Sequence, residues 1–100
     1  PVYFATGSTS LGPQGRVKVG EIAEWMKTHA GSSVAVTGFA DASGSVSANE
    51  AVAQKRAESV RDELVRTGVA ATRISTSRRL APAGAQPSAK DRRAEVRFMP

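Results

Sequence analysis

The chain has 100 residues, the size of one folding domain with a single core. It contains no cysteine and one histidine, which excludes disulfides and the Cys and His ligand sets typical of zinc. The formal net charge of +5 favours an anionic partner, and no apolar run reaches the roughly 20 residues that cross a bilayer. We therefore expect one domain with no metal and no cofactor.

The first half of the chain predicts a strand, a helix and a second strand. Residues Val2–Ala5 predict a short strand, and Pro13 suits the first turn of a helix over about 14–30. Gly31 is a favourable residue just past the end of that helix. Its apolar residues follow the helical spacing and form one stripe: Val19, Ile22, Ala23 and Met26. Residues 33–40 predict the second strand.

The second half predicts a longer helix and two further strands. Ser47 and Glu50 have the spacing of a capping box, in which the serine caps a helix and the glutamate bonds back to it. That helix ends at Gly68. Segment 73–80 predicts a third strand, a small-residue loop with two prolines follows, and 94–98 alternates like a strand with one solvated face.

This order of elements predicts the class of fold. The succession is β-α-β-α-β-β, and two amphipathic helices need an apolar face to cover. We therefore predict an α+β fold, a two-layer α/β sandwich with both helices on one face of a mixed sheet. The segment 33–80 forms a right-handed βαβ crossover if its two strands are neighbours.

A candidate binding groove lies where the second strand gives way to the second helix. Asp41 follows the strand, and ligands collect at this rim of a βαβ unit. Asn49 and Arg56 are two helical turns apart, so they share a face at about 10 Å along the axis, with Val52 between them. Such a groove offers both signs of charge and would fit a group that carries an ammonium and a carboxylate.

Residues 38–69 resemble the core motif of OmpA-like peptidoglycan-binding domains. The family pattern is a strand that ends in Gly-x-Thr-Asp, then Gly, then Asn, then a helix with Leu-Ser-x-x-Arg-Ala. The positions that match are Gly38, Asp41, Gly44, Asn49, Arg56 and Ala57. Three shorter stretches are similar to other family segments: VYFATGSTSL at 2–11, RTGVAATRI at 66–74 and DRRAEVRF at 91–98.

The resemblance implies a ligand and a role for two charged residues. In the family an aspartate and an arginine hold meso-diaminopimelate of the peptidoglycan stem peptide. Asp41 would then accept hydrogen bonds from its side-chain ammonium, and Arg56 would hold its side-chain carboxylate. The resemblance also implies that the fourth strand inserts antiparallel between the first and second, which gives the sheet order 1-4-2-3.

The sequence departs from the family pattern at several positions, three of which, Ala40, Val52 and Thr6, are also pocket candidates. Ala40 replaces the threonine before the acid, and Val52-Ala53 replaces Leu-Ser. Thr6-Gly7 stands where some members have an aromatic and an acid. Arg78-Arg79 stands where members have a glycine-rich turn. The predicted ligand-binding residues are Asp41, Arg56, Asn49, Ala40, Val52 and Thr6.

The resemblance further implies a place in the cell. We expect a single domain excised from a larger envelope protein, located in the periplasm and facing the cell wall. Contact with a membrane would come only through the parent protein, which the domain would anchor to the wall. Neither composition nor motif indicates an oligomeric state.

Structural alternatives accompany these assignments. Asp41 could only cap a turn, Arg56 could be a solvated helix charge or an ion-pair partner of Asp41, and Asn49 could only brace the loop. Arg92 and Arg93 are interpreted as architectural. The remaining open interpretations concern Arg78 and Arg79, as a solvated patch or a polymer contact, and Trp25, as a flank contact or a partner surface.

Two other functions are weighed against peptidoglycan binding. The basic charge suggests a nucleic-acid module, but aromatic residues are 5% of the chain and no strand has the stacked aromatic pattern of a single-strand binder. Catalysis would need a nucleophile with a base in reach, and His29, the one histidine, lies near the end of the other helix. We therefore predict a binding domain that is not an enzyme and does not bind nucleic acid.

Overall fold

The computed structural model describes residues 1–5, 7–41, 45–81 and 91–99. Its elements follow the predicted order β-α-β-α-β-β. In chain order they are β1 (Val2–Tyr3), α1 (Pro13–Thr28), β2 (Ser33–Ala40), α2 (Val46–Arg66), β3 (Ile74–Leu80) and β4 (Arg93–Met99). One turn of 3-10 helix, Ala71–Arg73, leads into β3.

The strands form one mixed sheet in the order β1-β4-β2-β3. Strands β2 and β3 are parallel, with Val36 opposite Thr76. Strand β4 runs antiparallel to both of its neighbours, β1 and β2. Val36 of β2 therefore lies between Thr76 of β3 and Val96 of β4. The sheet order and the insertion of β4 that the resemblance implied are therefore confirmed.

Both helices cover one face of this sheet. Alternate residues of β2 point toward the helices, and Val34 and Val36 are fully buried. From α1 the predicted stripe supplies Val19, Ala23 and Met26 to the core, whereas Ile22 packs at its margin. From α2 the buried apolar residues are Ala53, Ala57, Val60 and Leu64. The α+β two-layer prediction is confirmed.

Gly38 allows α2 to lie directly on β2. A Cβ atom at this position would come 1.8 Å from the carbonyl oxygen of Ala53 and 2.8 Å from the amide nitrogen of Ala57. No side chain fits into such a gap, so glycine on the strand and alanines on the helix set the separation between the two elements. The close contact places Ala53 and Ala57 of α2 directly over Gly38 of β2.

The predicted capping box is wrong. The helix begins two residues earlier than expected, and Ser45 is the residue whose hydroxyl accepts a hydrogen bond, from the Ala48 amide at 3.2 Å. Ser47 therefore lies inside the first turn, and Glu50 reaches Arg78 instead of the helix start. Serine is a favoured cap residue at either position, but Ser45 is the one that directly precedes the helix.

Other boundaries differ from the predictions by one or two residues. Helix α1 ends at Thr28, because the His29 amide bonds back to the Met26 carbonyl at 3.3 Å, and Gly31 is not in the left-handed region. Gly68 does follow α2 with a φ of 108°, as predicted. The proline-containing loop lies outside the described residues. Among the described helices, none has the length and apolarity required to cross a membrane.

Candidate functional site

The predicted rim contains a pocket. Its volume is about 190 Å³. The residues that line it are Gly7, Ala40, Asp41, Asn49, Val52, Arg56 and Arg92. Five of the six predicted ligand-binding residues therefore meet at one place, and Thr6 lies outside the described residues. The end of β2 supplies Ala40 and Asp41, and the first three turns of α2 supply Asn49, Val52 and Arg56.

Arg56 is a buried cation with a fixed orientation. Its residue is only 2% exposed, which rules out the interpretation as a solvated helix charge. The guanidinium donates from Nε to the Ser8 carbonyl and from Nη1 to the Phe39 carbonyl, both at 3.0 Å. It also lies 5.4 Å from the centre of the Phe4 ring. These hydrogen bonds use two of the five N–H donors of a guanidinium.

Neighbouring charges act on Arg56 in opposite directions. Burial lowers the pKa of Arg56 from its ordinary value, because desolvation penalises the cation. The carboxylate of Asp41 opposes that effect and raises the same pKa, whereas Arg92 adds to the lowering. An arginine remains protonated under such shifts, so the pocket contains a permanent positive charge beside Asp41.

Asn49 and Ala40 form the buried part of the pocket wall. Asn49 is 9% exposed and lies in the first turn of α2, so its amide faces the pocket from the helix start. Ala40 is 3% exposed and offers only a methyl group where the family pattern has a hydroxyl. Val52 is half-buried and adds the apolar surface between Asn49 and Arg56.

The loop after β1 closes one side of the pocket through contacts with α2. The Ser8 carbonyl accepts from Arg56, and the Thr9 carbonyl accepts from the Ser59 hydroxyl one helical turn further on. Gly7 lines the pocket in the left-handed region, at a φ of 70°. The sequence suggested this wall only through the similarity of the first strand and loop to the family.

Arg92 is the pocket residue that the sequence interpretation missed. The sequence predicts an architectural role, and the Nε of Arg92 does lie 3.4 Å from the Phe4 carbonyl, while the Arg92 carbonyl accepts from the Phe4 amide at 2.7 Å. It also lines the pocket and influences Arg56 electrostatically. Adjacent strand residues face opposite sides of a sheet, so an Arg-Arg pair at a strand start places one cation on each face.

Arg93 is on the other face of the sheet. Its guanidinium lies 3.9 Å from the centre of the Phe39 ring and its Nε donates to Glu95 at 3.0 Å. The architectural interpretation of Arg93 fits these contacts. Arg78 lies away from the pocket as well, since it reaches Glu50 of α2 at 3.4 Å.

Trp25 and His29 are at the opposite end of the molecule from the pocket. Their rings stack at 4.0 Å, and Phe98 packs against the tryptophan at 4.7 Å. The flank-contact interpretation of Trp25 therefore agrees with its contacts. In the described ranges, no three histidine or carboxylate side chains converge as a metal site would require.

Comparison with known proteins identifies the family. The sequence profile of the OmpA family matches residues 3–97, which is nearly the whole chain. The chain belongs to the OmpA family. The resemblance to OmpA-like peptidoglycan-binding domains is therefore confirmed, and the family is not enzymatic.

Relatives of known name are similar over most of the chain. The probable lipoprotein YiaD of Escherichia coli is 33% identical over 99% of this chain and 48% of its own length. The peptidoglycan-associated lipoprotein of Mesorhizobium japonicum is 32% identical over 75% of this chain and 45% of its own. The domain thus corresponds to about half the length of these relatives.

Solved structures share the fold. The peptidoglycan-associated lipoprotein from Burkholderia pseudomallei superposes with a TM-score of 0.87 at 29% identity, over 98% of this chain and 88% of that one. The C-terminal domain of Helicobacter pylori MotB superposes with a TM-score of 0.80 over 100% of this chain and 85% of that one, at 22% identity. The second similarity concerns the fold alone.

Proposed function

We propose that this OmpA-family domain binds peptidoglycan non-covalently through the meso-diaminopimelate residue of the stem peptide. The observation that carries the proposal is the buried guanidinium of Arg56, which two backbone carbonyls hold on the wall of the same pocket as Asp41. The proposed assignment gives each charged group one end of a zwitterionic side chain.

The ligand would contribute one charge of each sign. Its side-chain ammonium would donate hydrogen bonds to the carboxylate of Asp41, and its side-chain carboxylate would accept from the N–H groups of Arg56 that the backbone leaves over. Because Arg56 is already oriented and desolvated before the ligand arrives, little ordering cost remains for binding. The planar guanidinium also matches a carboxylate in geometry better than an ammonium would.

The same arrangement would discriminate against lysine in the stem peptide. A lysine side chain provides the ammonium for Asp41 but no carboxylate for Arg56. A buried donor without its partner is costly, so the pocket would disfavour the lysine ligand through an unsatisfied cation. Selectivity would therefore depend on Arg56 more than on Asp41.

Arg92 and Asn49 would complete the contacts. The pocket wall has two arginines and one aspartate, a formal charge of +1 from these residues, so a ligand with an additional carboxylate would suit it better than a neutral zwitterion. The amide of Asn49 can donate to one carboxylate oxygen or accept from an ammonium.

Binding of this kind would anchor a larger protein to the wall. The names of the relatives support this proposal. Two are lipoproteins, from Escherichia coli and Mesorhizobium japonicum. A third is outer membrane protein P5 of Haemophilus influenzae, and the similar region covers 22% of its length. We place the domain in the periplasm as one part of an envelope protein, with any membrane contact made by other parts of that protein.

The test is a titration of the labelled domain with two tripeptides, followed by NMR. One tripeptide contains meso-diaminopimelate and the other lysine at the same position. We expect amide shifts around Asp41, Asn49 and Arg56 with the first ligand alone. Equal shifts with both ligands, or shifts at other residues, would overturn the proposed assignment.

A mixed-sequence oligonucleotide in the same titration tests the nucleic-acid alternative. Phosphate contacts weaken steeply with salt, whereas a pocket with two opposite charges loses affinity gradually. Tighter binding of the oligonucleotide than of the diaminopimelate tripeptide at 150 mM salt, about the physiological ionic strength, would favour the alternative.

A further inference from the structure

Strand β3 forms a long open edge of the sheet. Within the described ranges it pairs with β2 alone, along all of Ile74–Leu80. The opposite edge is the two-residue strand β1. Open strand edges present unpaired N–H and C=O groups to which another extended chain can bond.

The direction of the backbone groups on β3 follows from one hydrogen bond. The Ala81 amide donates to the Ala40 carbonyl at 3.1 Å, so odd-numbered residues of this segment direct their backbone groups toward β2. The even-numbered residues then direct theirs outward, and they are Ile74, Thr76, Arg78 and Leu80. The Ile74 amide already donates to the Ala71 carbonyl. Three amides, of Thr76, Arg78 and Leu80, and four carbonyls therefore remain along the open edge.

This edge is basic on both faces of the sheet. Arg78 lies on the helix side, where a half-exposed pair with Glu50 at 3.4 Å leaves it accessible. Arg79 lies on the opposite side and lines a concavity of about 230 Å³ with Thr37, Ser77, Arg97 and Glu95. The carboxylate of Glu95 is already paired with Arg93 at 3.0 Å. Among the described residues, neither Arg79 nor Arg97 forms an ion pair. The hydroxyls of Thr37 and Ser77 bond to each other at 2.9 Å between these two cations.

We propose that the β3 edge binds an acidic protein segment in extended conformation, which adds to the sheet as a fifth strand. Backbone hydrogen bonds to the even-numbered residues would provide affinity, and glutamate or aspartate side chains opposite Arg78 and Arg79 would provide selectivity. This interaction is independent of the diaminopimelate pocket, because no residue of the β3 edge lines that pocket.

Two other occupants fit the observations less well. A second copy of this chain also carries a net charge of +5 and would bring a basic edge against a basic edge. Anionic lipid headgroups or a phosphate polymer would match the arginines, but they offer no alternating donors to the outward carbonyls of β3. An acidic peptide matches both the charge and the backbone pattern.

Two capped heptapeptides test the proposal. The first carries two adjacent glutamates among threonine and valine residues, and the second replaces both glutamates with lysine. We expect the first to slow amide exchange at Thr76, Arg78 and Leu80, without shifts at Asp41 or Arg56. The lysine peptide is expected to have no effect. Absence of protection by the glutamate peptide at millimolar concentration would overturn the proposal.

Two variants separate backbone pairing from simple charge attraction. Thr76→Pro removes an outward amide and no ladder bond, which edge strands tolerate, and Thr76→Ala retains the amide as its control. We expect Thr76→Pro to abolish peptide binding and Thr76→Ala to preserve it, with both variants still binding the diaminopimelate tripeptide. The double substitution R78E/R79E should weaken the glutamate peptide by about tenfold.

Three results would contradict the inference. Full binding of the glutamate peptide by Thr76→Pro would indicate charge attraction without strand pairing. Stronger protection of the same amides by anionic phospholipid vesicles than by the glutamate peptide would indicate a membrane surface. A dimer in sedimentation that Thr76→Pro dissociates would indicate a second copy of this chain.

Discussion

The Nη1 atom of Arg56 donates a hydrogen bond of 3.0 Å to the carbonyl of Phe39, and this bond joins α2 to the end of β2. Asp41 follows Phe39 by two residues, so the contact that orients the cation also fixes the strand end that carries the anion. A second bond, from Nε to Ser8, adds the loop after β1 to the same arrangement. Backbone carbonyls thereby orient the Arg56 guanidinium relative to the strand end that carries Asp41.

Gly38→Ala should disrupt this arrangement from inside the fold. The added methyl would collide with backbone atoms of α2, at 1.8 Å from the Ala53 carbonyl oxygen, so the helix has to move. We expect a loss of about 2–3 kcal/mol in the free energy of unfolding, measured by urea denaturation. Gly20→Ala on α1 is the matched control, because a Cβ atom at this position meets nothing within 4 Å. This variant should gain roughly 0.5–1 kcal/mol in the free energy of unfolding, since alanine favours the helix over glycine. Equal stability of both variants would contradict the close approach.

Ser45→Ala should weaken the start of α2. The substitution removes the hydroxyl that accepts from the Ala48 amide, and loss of such a cap costs about 1 kcal/mol. Ser47→Ala removes a hydroxyl of the same kind two residues further on, inside the helix, and should leave stability unchanged or slightly higher. Denaturation midpoints of the two variants decide between the observed cap and the capping box that the sequence predicted. A lower stability of Ser47→Ala than of Ser45→Ala would instead support the capping box.

Arg73→Ala should destabilise the end of the molecule away from the pocket. The guanidinium of Arg73 donates to the carbonyls of Met26, His29 and Ser32, each at 2.9 Å, and so ties the end of α1 to the start of β3. Hydrogen bonds that involve a charged group are among the stronger ones, and we expect a loss of about 2–3 kcal/mol in thermal or urea unfolding. Arg97→Ala on the exposed sheet face should change stability by less than about 0.5 kcal/mol. An unchanged free energy of unfolding in Arg73→Ala would show that these hydrogen bonds make no net contribution to stability.

The ion pair of Glu63 and Arg66 should make the stability of the fold depend on pH. The hydrogen bond from Arg66 lowers the pKa of Glu63 below its ordinary value of 4.5. A carboxyl whose pKa is depressed by folding stabilises the fold above its unfolded pKa, and this contribution is lost as pH falls through the folded value. In Arg66→Gln the carboxyl of Glu63 should titrate closer to 4.5 in an NMR titration. Arg61→Gln, which removes the partner of Asp62, should leave it unchanged, and an identical titration in both variants would contradict the pairing.

The sequence predicted the fold well because its signals were local and consistent. Helix α1 carries a regular apolar stripe, and β2 alternates, so each element could be placed within two residues. The insertion of β4 between β1 and β2 came from family resemblance, since nothing in the strand itself specifies its neighbours. The cap of α2 was misplaced because Ser45 and Ser47 are both favoured cap residues, and Glu50 has the capping-box spacing only from Ser47, although it pairs with Arg78 instead.

The candidate site was predictable where its residues follow one another along β2 and α2. Asp41 follows the strand, and Asn49 and Arg56 are two turns apart on the next helix. This spacing places the three side chains at the same edge of the sheet in a strand followed by a helix. Arg92 lies 36 residues beyond Arg56 in sequence and reaches the pocket from just before β4, so no local pattern could link them. The burial of Arg56 was also hidden, because helical spacing alone does not reveal that Ser8 and Phe39 bring carbonyls to it.

The central claim is that Arg56 recognises the carboxylate that distinguishes diaminopimelate from lysine. The direct measurement is the ratio of dissociation constants for the lysine and diaminopimelate tripeptides, by calorimetry, in the unaltered domain and in Arg56→Gln. We predict a ratio between about 10 and 100 in the unaltered domain, because one buried charge-assisted contact is lost with lysine. Arg56→Gln, once thermal unfolding confirms that it is folded, should bring the ratio near 1. An unchanged ratio in Arg56→Gln would contradict the account.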